Sequence, residues 1–296
     1  MRDTALAIAL ATPQRQGLSM ITGLPRIAIA MTAAEYLVAV DTFHSVFGMY
    51  VNDMSARTVP ELGAHVGMCQ PPGGSNVELM APSDPDAPLS IALNRFLDRR
   101  GTGLYALMLE AADPNAEAQE LAMRGMNVLP LMPAATGRDV HPNSTHGVLM
   151  RVYPTGSVAQ PDDPAVEAPR LSGIMRVIVA TDDASVAAKA YGHGLGLDVT
   201  HAEPDAERGV LVAHAPAPWG AVIEMVSPLD ESRLFAAAVA AHLREKGQGM
   251  AALVLSADAP AHSTQLLATR GLAADLNGPF GPEVTAFGTR FVIAAS

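Results

Sequence analysis

Leu97–Pro114 reads LDRRGTGLYALMLEAADP, and the same pattern returns as Leu243–Pro260, LREKGQGMAALVLSADAP. Each copy has a charged segment suited to a helix end, then Gly-x-Gly, then an apolar run that closes in Ala, Asp and Pro. Leu97, Gly101, Gly103 and Pro114 correspond to Leu243, Gly247, Gly249 and Pro260 at one constant offset of 146 residues (243 minus 97). Periods of about 20–50 residues indicate solenoids or propellers. A spacing this long indicates a duplicated domain.

The echo spreads outward. Ser75–Pro82, SNVELMAP, matches Ala221–Pro228, AVIEMVSP, and sets Glu78 against Glu224. Upstream, Arg26–Ala30 (RIAIA) matches Arg176–Ala180 (RVIVA), and an Ala-rich segment follows each. Within each copy the pattern reads strand, helix, then strands. Thr32-Ala33-Ala34-Glu35 has the form of a capping box, in which hydroxyl and carboxylate satisfy free backbone N–H groups at a helix start. That helix is expected to run to Phe47 and stop at Gly48. Strands are expected at Met49–Ser55, Ala64–Cys69 and Asn76–Met80. Ala87–Arg99 follows as a helix, Leu104–Glu110 as a strand, Pro114–Arg124 as a helix, then strands at Met126–Pro130, Arg138–His141 and Gly147–Tyr153.

Thr155–Leu171, TGSVAQPDDPAVEAPRL, has neither a helical nor a strand period and reads as a linker. The pattern restarts after it, with strands near Leu197–His201, Gly209–Ala213 and Ala221–Met225, a helix at Glu231–Lys246, another near Ala259–Arg270, and a last strand at Arg290–Ala294. The expected architecture is α+β: an N-terminal arm (1–23), a first domain (24–154), the linker (155–171) and a second domain (172–296). Four β-α-β-β-β units would form two cupped mixed sheets.

A chain of 296 residues can bury two cores. Its formal charge of −11 excludes a general nucleic-acid binder, which needs a cationic face. The lone Cys69 rules out an intramolecular disulfide or a cysteine-rich zinc site and suits a reducing compartment. No apolar stretch reaches the ~18–20 residues that span a bilayer. Ala5–Ala11 is a poor signal peptide, with Asp3 in the region that should be cationic, so cytoplasmic location is the default.

Val59–Tyr153 resembles methylmalonyl-CoA epimerase, a family of the vicinal-oxygen-chelate (glyoxalase, bleomycin-resistance, extradiol dioxygenase) superfamily. The resemblance rests on Pro60-Glu61-Leu62-Gly63, Val77-Glu78-Leu79 with Pro82, Phe96–Leu104, Arg124-Gly125, and His141–Leu149 leading into the last strand. It covers 24–153 well and 172–294 more faintly. The four-unit length also resembles the two-domain extradiol dioxygenases. It implies a tandem of that superfamily's domains, in which inward-facing strand residues bind a divalent ion. The positions matching the epimerase's ligands hold Arg26, Glu78, Ala106 and Arg151, and in the second copy Arg176, Glu224, Ala252 and Val292. Guanidinium has no lone pair to give and alanine has no donor atom. No metal and no other cofactor are therefore expected. The epimerase's second carboxylate falls at Val66, which argues against epimerisation, and the missing His/His/Glu set argues against an extradiol dioxygenase.

In place of the metal, Arg26, Glu78 and Arg151 are expected to converge on the floor of the first cup. Two guanidiniums around one carboxylate can clamp an acidic guest, or they can be a structural ion pair filling an abandoned site. Arg176 and Glu224 form a smaller counterpart. Met80 and Met108 would line core or pocket, where soft side chains suit a flexible apolar ligand. His141 and His146 flank the turn before Arg151, either as a plain turn or in reach of substrate. His65 and Tyr105 should face away from the cup. Two functions remain. One is a metal-independent isomerase or lyase acting on a small organic acid or its CoA thioester, with Glu78 as general base and the arginines holding the carboxylate or an enolate. The other is a bleomycin-resistance type of protein that binds or sequesters a small molecule without chemistry. The expected partner is an acidic or CoA-linked small molecule rather than a nucleic acid or a membrane, and family cups can be shared between chains as in a homodimer.

Overall fold

The computed structural model describes residues 20–55, 62–161 and 167–296. The expected arm up to Ser19, Pro60, Glu61 and the middle of the linker lie outside these residues. The duplication is visible in the two sheets. In the first half, β1 (Ile21–Ala30) leads into helix α1 (Ala33–Asp41), followed by β2 (Val51–Asp53), β3 (Ala64–Cys69) and β4 (Asn76–Pro82). Helix α2 (Pro88–Arg100) crosses to β5 (Gly103–Ala111), α3 (Pro114–Met123), β6 (Arg138–Val140) and β7 (Leu149–Pro154). The strands order as β2-β3-β4-β1-β5-β7-β6. The second half repeats this with β8 (Arg176–Ala180), α4 (Ala184–Lys189), β9 (Glu203–Asp205), β10 (Val210–Pro216) and β11 (Val222–Pro228). Then come α5 (Leu234–Lys246), β12 (Gly249–Ala257), α6 (Pro260–Thr269), β13 (Ala273–Asp275), β14 (Glu283–Ala286) and β15 (Thr289–Ala295). Its order is β13-β14-β15-β12-β8-β11-β10-β9.

Local chemistry explains the element ends. At the start of α1 the Thr32 hydroxyl accepts from Glu35 N–H, while the Glu35 carboxylate accepts from Thr32 N–H at 2.9 Å. The helix then widens into a π-turn over Thr42–Val46 instead of running regularly to Phe47. Gly101 and Gly247 end α2 and α5 at φ 70° and 72°, a left-handed backbone that glycine adopts without a side-chain penalty. Some expected strands are absent. Met126–Pro130 contributes only a single bridge, Val128 to Val140, and nothing over 197–201 is a strand. β1 begins at Ile21, inside the expected arm.

The convex face of each sheet is buried and a helix crosses each concave face. The convex faces and helices α1, α3, α4 and α6 build one core common to both halves. Phe43 and Phe47 of the first half stack at 4.8 Å and meet Phe291 of β15 edge-on at 5.8 and 5.2 Å. Reciprocally, the Tyr191 hydroxyl donates to the Thr145 carbonyl at 3.1 Å. On the concave faces, α2 covers the first sheet with Leu89 and Leu93, and α5 covers the second with Phe235 and Val239.

Since Phe291 is fully buried between the halves, Phe291→Ala should cost ~3–5 kcal/mol and lower the urea midpoint of one cooperative transition reported by both halves. Two separated transitions, only one of them shifted, would contradict the common core.

Candidate functional site

The two concave faces carry equivalent residues with different volumes. Strand register matches Met80 to Val226, each beside the Ala of the next strand (Ala30, Ala180). It matches Met108 to Val254 beside Arg26 and Arg176, Arg151 to Val292, and Tyr153 to Ala294. A bulge in β5 between Leu104 and Ala106 holds Tyr105, and a bulge in β12 between Met250 and Ala252 holds Ala251. The first bulge turns Tyr105 into the cup, edge-on to Phe96 at 5.1 Å, which corrects the outward orientation expected from strict alternation. His65 faces α1 as the alternation requires, stacked on Tyr36 at 5.4 Å.

Large side chains therefore fill the first cup. Its polar residues form a closed network. Arg26 donates to Glu78 at 2.7 Å and to the Ser157 hydroxyl at 2.7 Å, and its guanidinium lies over the Tyr153 ring at 4.4 Å. Ser157 in turn donates to Glu110 through both hydroxyl and backbone N–H. Arg151 stands in the same lateral row as Arg26, separated by Met108. It makes a bidentate pair with Asp139, its cross-strand neighbour on β6, instead of joining Glu78. That corrects the expected three-residue convergence. Asp139 claims the guanidinium because it is the nearest carboxylate in register. With Arg26, Glu78, Arg151, Met80 and Met108 all almost completely buried, the expected substrate set is packed into the protein interior. His141 accepts from Asn143 N–H and caps a short 3-10 turn, and His146 contacts Gln248 of the second half at 2.8 Å. Both contacts are structural turn or interface contacts.

The second cup is open. A cleft of about 740 Å3 is lined by Arg176, Arg208, Glu224, Phe235, Val254 and Phe280, among others. Of the smaller residues at the equivalent positions, Val254, where the first cup has Met108, lines this space. The Arg176 side chain is 41% exposed, whereas that of Arg26 is 4% exposed, because no tyrosine covers it. Glu224 is fully buried at the floor. It accepts from Arg176 at 2.8 Å and from Arg208 at 2.5 Å, and His214, directly across on β10, places its Nε2 3.5 Å away. Burial pushes the Glu224 carboxyl upward. The His214 hydrogen bond and the charges of Arg208 and Arg176 outweigh it and bring its pKa down to about 2. Arg208 also binds Asp205 at 2.7 Å and lies over the Phe235 ring at 4.8 Å. Burial works against its charge, and the Glu224 charge and the bond to Asp205 overcome it and raise its pKa. Phe235 and Phe280 meet edge-on at 4.7 Å, and Arg290 lies over Phe280 at 5.0 Å.

Arg176 and Glu224 were legible as a pair in the sequence. Arg208 and His214 were not, since one lies in the β9–β10 turn and the other across a strand whose register the sequence leaves open. The donor chemistry does not suit a divalent ion. Glu224 is saturated by cations, and among the described residues no group of three or more His, Cys, Asp or Glu could hold a metal.

Glu224 titrates below its ordinary value of 4.5, so its stabilisation is complete above that value and is lost as pH falls toward 2. The lost term is at most about 3 kcal/mol. Glu224→Gln should flatten the pH dependence of the denaturant midpoint between pH 4.5 and 2 and destabilise the protein at neutral pH by leaving Arg176 without its countercharge and Arg208 with Asp205 alone. An unchanged acid limb would show that the cluster carries no such linkage.

Residues 29–141 match the family model of the glyoxalase/bleomycin resistance protein/dioxygenase superfamily. Among curated proteins nothing matches. Among solved structures, a triple mutant of 4-hydroxymandelate synthase from Streptomyces coelicolor is similar at TM-score 0.55 and 16% identity, covering 86% of this chain and 77% of that one. Methylmalonyl-CoA epimerase from Mycobacterium tuberculosis is 26% identical over 50% of this chain and 93% of its own, with TM-score 0.38. Another methylmalonyl-CoA epimerase, in complex with methylmalonyl-CoA and NH4+, is 22% identical over 48% of this chain and 99% of its own, at TM-score 0.38. The family match over residues 29–141, the topology repeated in the two sheets and the likeness to the 4-hydroxymandelate synthase across both halves lead to one assignment: the chain carries the fold of the glyoxalase/bleomycin resistance protein/dioxygenase superfamily twice in tandem, and the family model itself matches the first copy.

Proposed function

We propose that the protein binds a small organic acid with an apolar body in its second cup. The observation that carries this reading is the half-exposed guanidinium of Arg176 in a cleft of mixed polar and apolar lining, with its countercharge Glu224 buried beneath it. Arg176 already spends one donor on Glu224, and its remaining N–H groups suit a guest carboxylate. Phe235, Phe280 and the exposed Leu234 offer apolar surface to the rest of the molecule. The open cleft also leaves room for an acid carried as a CoA thioester.

Binding without chemistry, of the bleomycin-resistance kind, is the reading these residues support best. A carboxylate held at a pKa of about 2 is too weak a base to take a proton from carbon at neutral pH, which removes Glu224 from that role. A second reading, a metal-independent isomerase or lyase, draws support from His214. Its imidazole sits beside Glu224, a carboxylate that can orient it as a general base.

The test is a calorimetric titration of the protein with a panel of alkyl and aryl carboxylates and short acyl-CoA thioesters. Arg176→Gln should weaken the best ligand by roughly tenfold to a hundredfold, the worth of one charge-assisted hydrogen bond. Val254→Met, which places the first cup's residue at this position of the cleft wall, should weaken binding by narrowing the cleft. Retained affinity in both variants would sink the assignment. Turnover of a bound ligand by the parent, lost in His214→Gln while binding persists, would favour the catalytic reading over sequestration.

A further inference from the structure

A small recess lies where the ends of α2 and α5 meet, bordered on the side of the first cup by Phe96 and Tyr105. Its walls come in equivalent pairs: Arg100 with Lys246, Phe96 with His242, and Gly103 with Gly249. The cavity measures about 70 Å3, room for a group of phosphate size. Absence of side chains at the two glycines lets the strand starts approach the opposite half. A Cβ on Gly103 would sit 3.4 Å from the Gly288 carbonyl, and one on Gly249 would sit 3.4 Å from that of Gly147.

The charge here is one-sided. Arg100 gives one N–H to the Lys246 carbonyl at 2.9 Å. Among the described residues, neither Arg100 nor Lys246 pairs with a carboxylate. The His242 Nε2 is buried without a hydrogen-bond partner. Burial first, then the charges of Lys246, Arg100 and Arg290, pull the His242 pKa to about 4. From the surrounding elements, Arg290 of β15 is paired with Glu283 at 3.0 Å, Tyr105 of β5 contributes a neutral phenol, and the Glu35 carboxylate of α1 accepts from the Thr102 hydroxyl at 2.6 Å. Basic residues at helix C-termini offset the helix dipole, and that accounts for Arg100 and Lys246. It leaves the unpartnered imidazole nitrogen unexplained.

We propose that this recess is an anion site for a phosphate-sized oxyanion, free or as the terminal phosphoryl group of a larger molecule, clamped by Arg100 and Lys246 and closed by a hydrogen bond from His242. The guest supplies the negative charge that the pocket lacks. The anion offsets the cations that disfavour a charged ring, so His242 takes up a proton as the anion enters and both of its ring nitrogens become donors.

Inorganic phosphate titrated into the full-length protein at constant ionic strength in chloride tests the site, with the His242 imidazole followed by NMR. Phosphate should bind saturably and move the titration midpoint of His242 upward from about 4 toward its ordinary range. Arg100→Gln with Lys246→Gln should weaken phosphate by roughly tenfold or more, while Arg176→Gln in the second cup leaves it unchanged. If the double variant fails to fold, Arg100→Gln alone, at an exposed position, carries the same expectation with a smaller loss. Glycerol 3-phosphate separates the sources: tighter binding than phosphate assigns the site to a phosphomonoester, and weaker binding to the free ion. Equal responses to chloride and phosphate, or phosphate affinity that survives loss of both cations, would overturn the proposal.

Discussion

A carboxylate with no exposure to water keeps its charge only if cations are buried or half-buried with it. Glu224 meets that condition through Arg176, Arg208 and His214, and in the other half the almost fully buried Glu78 is paired with Arg26. Desolvation is severe for such a group, and removing one partner costs far more than the pair contributes relative to an apolar filling. The pairs therefore hold β1 to β4 and β8 to β11 in a fixed register. They also place positive charge at the floor of each concave sheet, and what happens above that floor depends on side-chain volume alone.

The two halves show this plainly. Tyr105, Met108, Met80, Arg151 and Tyr153 occupy the first concavity, while Ala251, Val254, Val226, Val292 and Ala294 stand at the same lattice points in the second. Identical topology with bulky residues makes a solid core, and with small ones it leaves a cleft of about 740 Å3. The pairing partners change accordingly. In the first half Asp139 is neutralised by Arg151, but in the second the equivalent Glu283 faces Val292 and reaches Arg290 with only one oxygen. Burial raises the pKa of Glu283, the opposite direction from Glu224, although both lie in one sheet.

Much of this was legible in the chain itself. The 146-residue echo, the four units, the capping box at Thr32 and the Arg–Glu pairs could all be read because each depends on local residue order or on a repeated motif. Site geometry could be read only in part. Counting alternate residues along β5 sends Tyr105 outward, but the bulge adds one residue and brings it inward. The row containing Arg26 and Arg151 was identifiable, yet Asp139 intercepts Arg151 through a cross-strand register that no local pattern announces. Arg208 reaches the floor from a turn. Which cup stays open is a sum over ten side chains from six strands, and no single stretch contains that sum.

The stacked phenylalanines between the halves give the filled cup a second role. Phe43 and Phe47 belong to the filled half, and they seat Phe291, whose neighbour Val292 is buried on the concave side of the other half beside Val254 and Phe235. The solid half thus serves as a foundation for the hollow one. It lets the hollow half give up interior packing for empty volume, because rigidity lost on the concave side is supplied from behind.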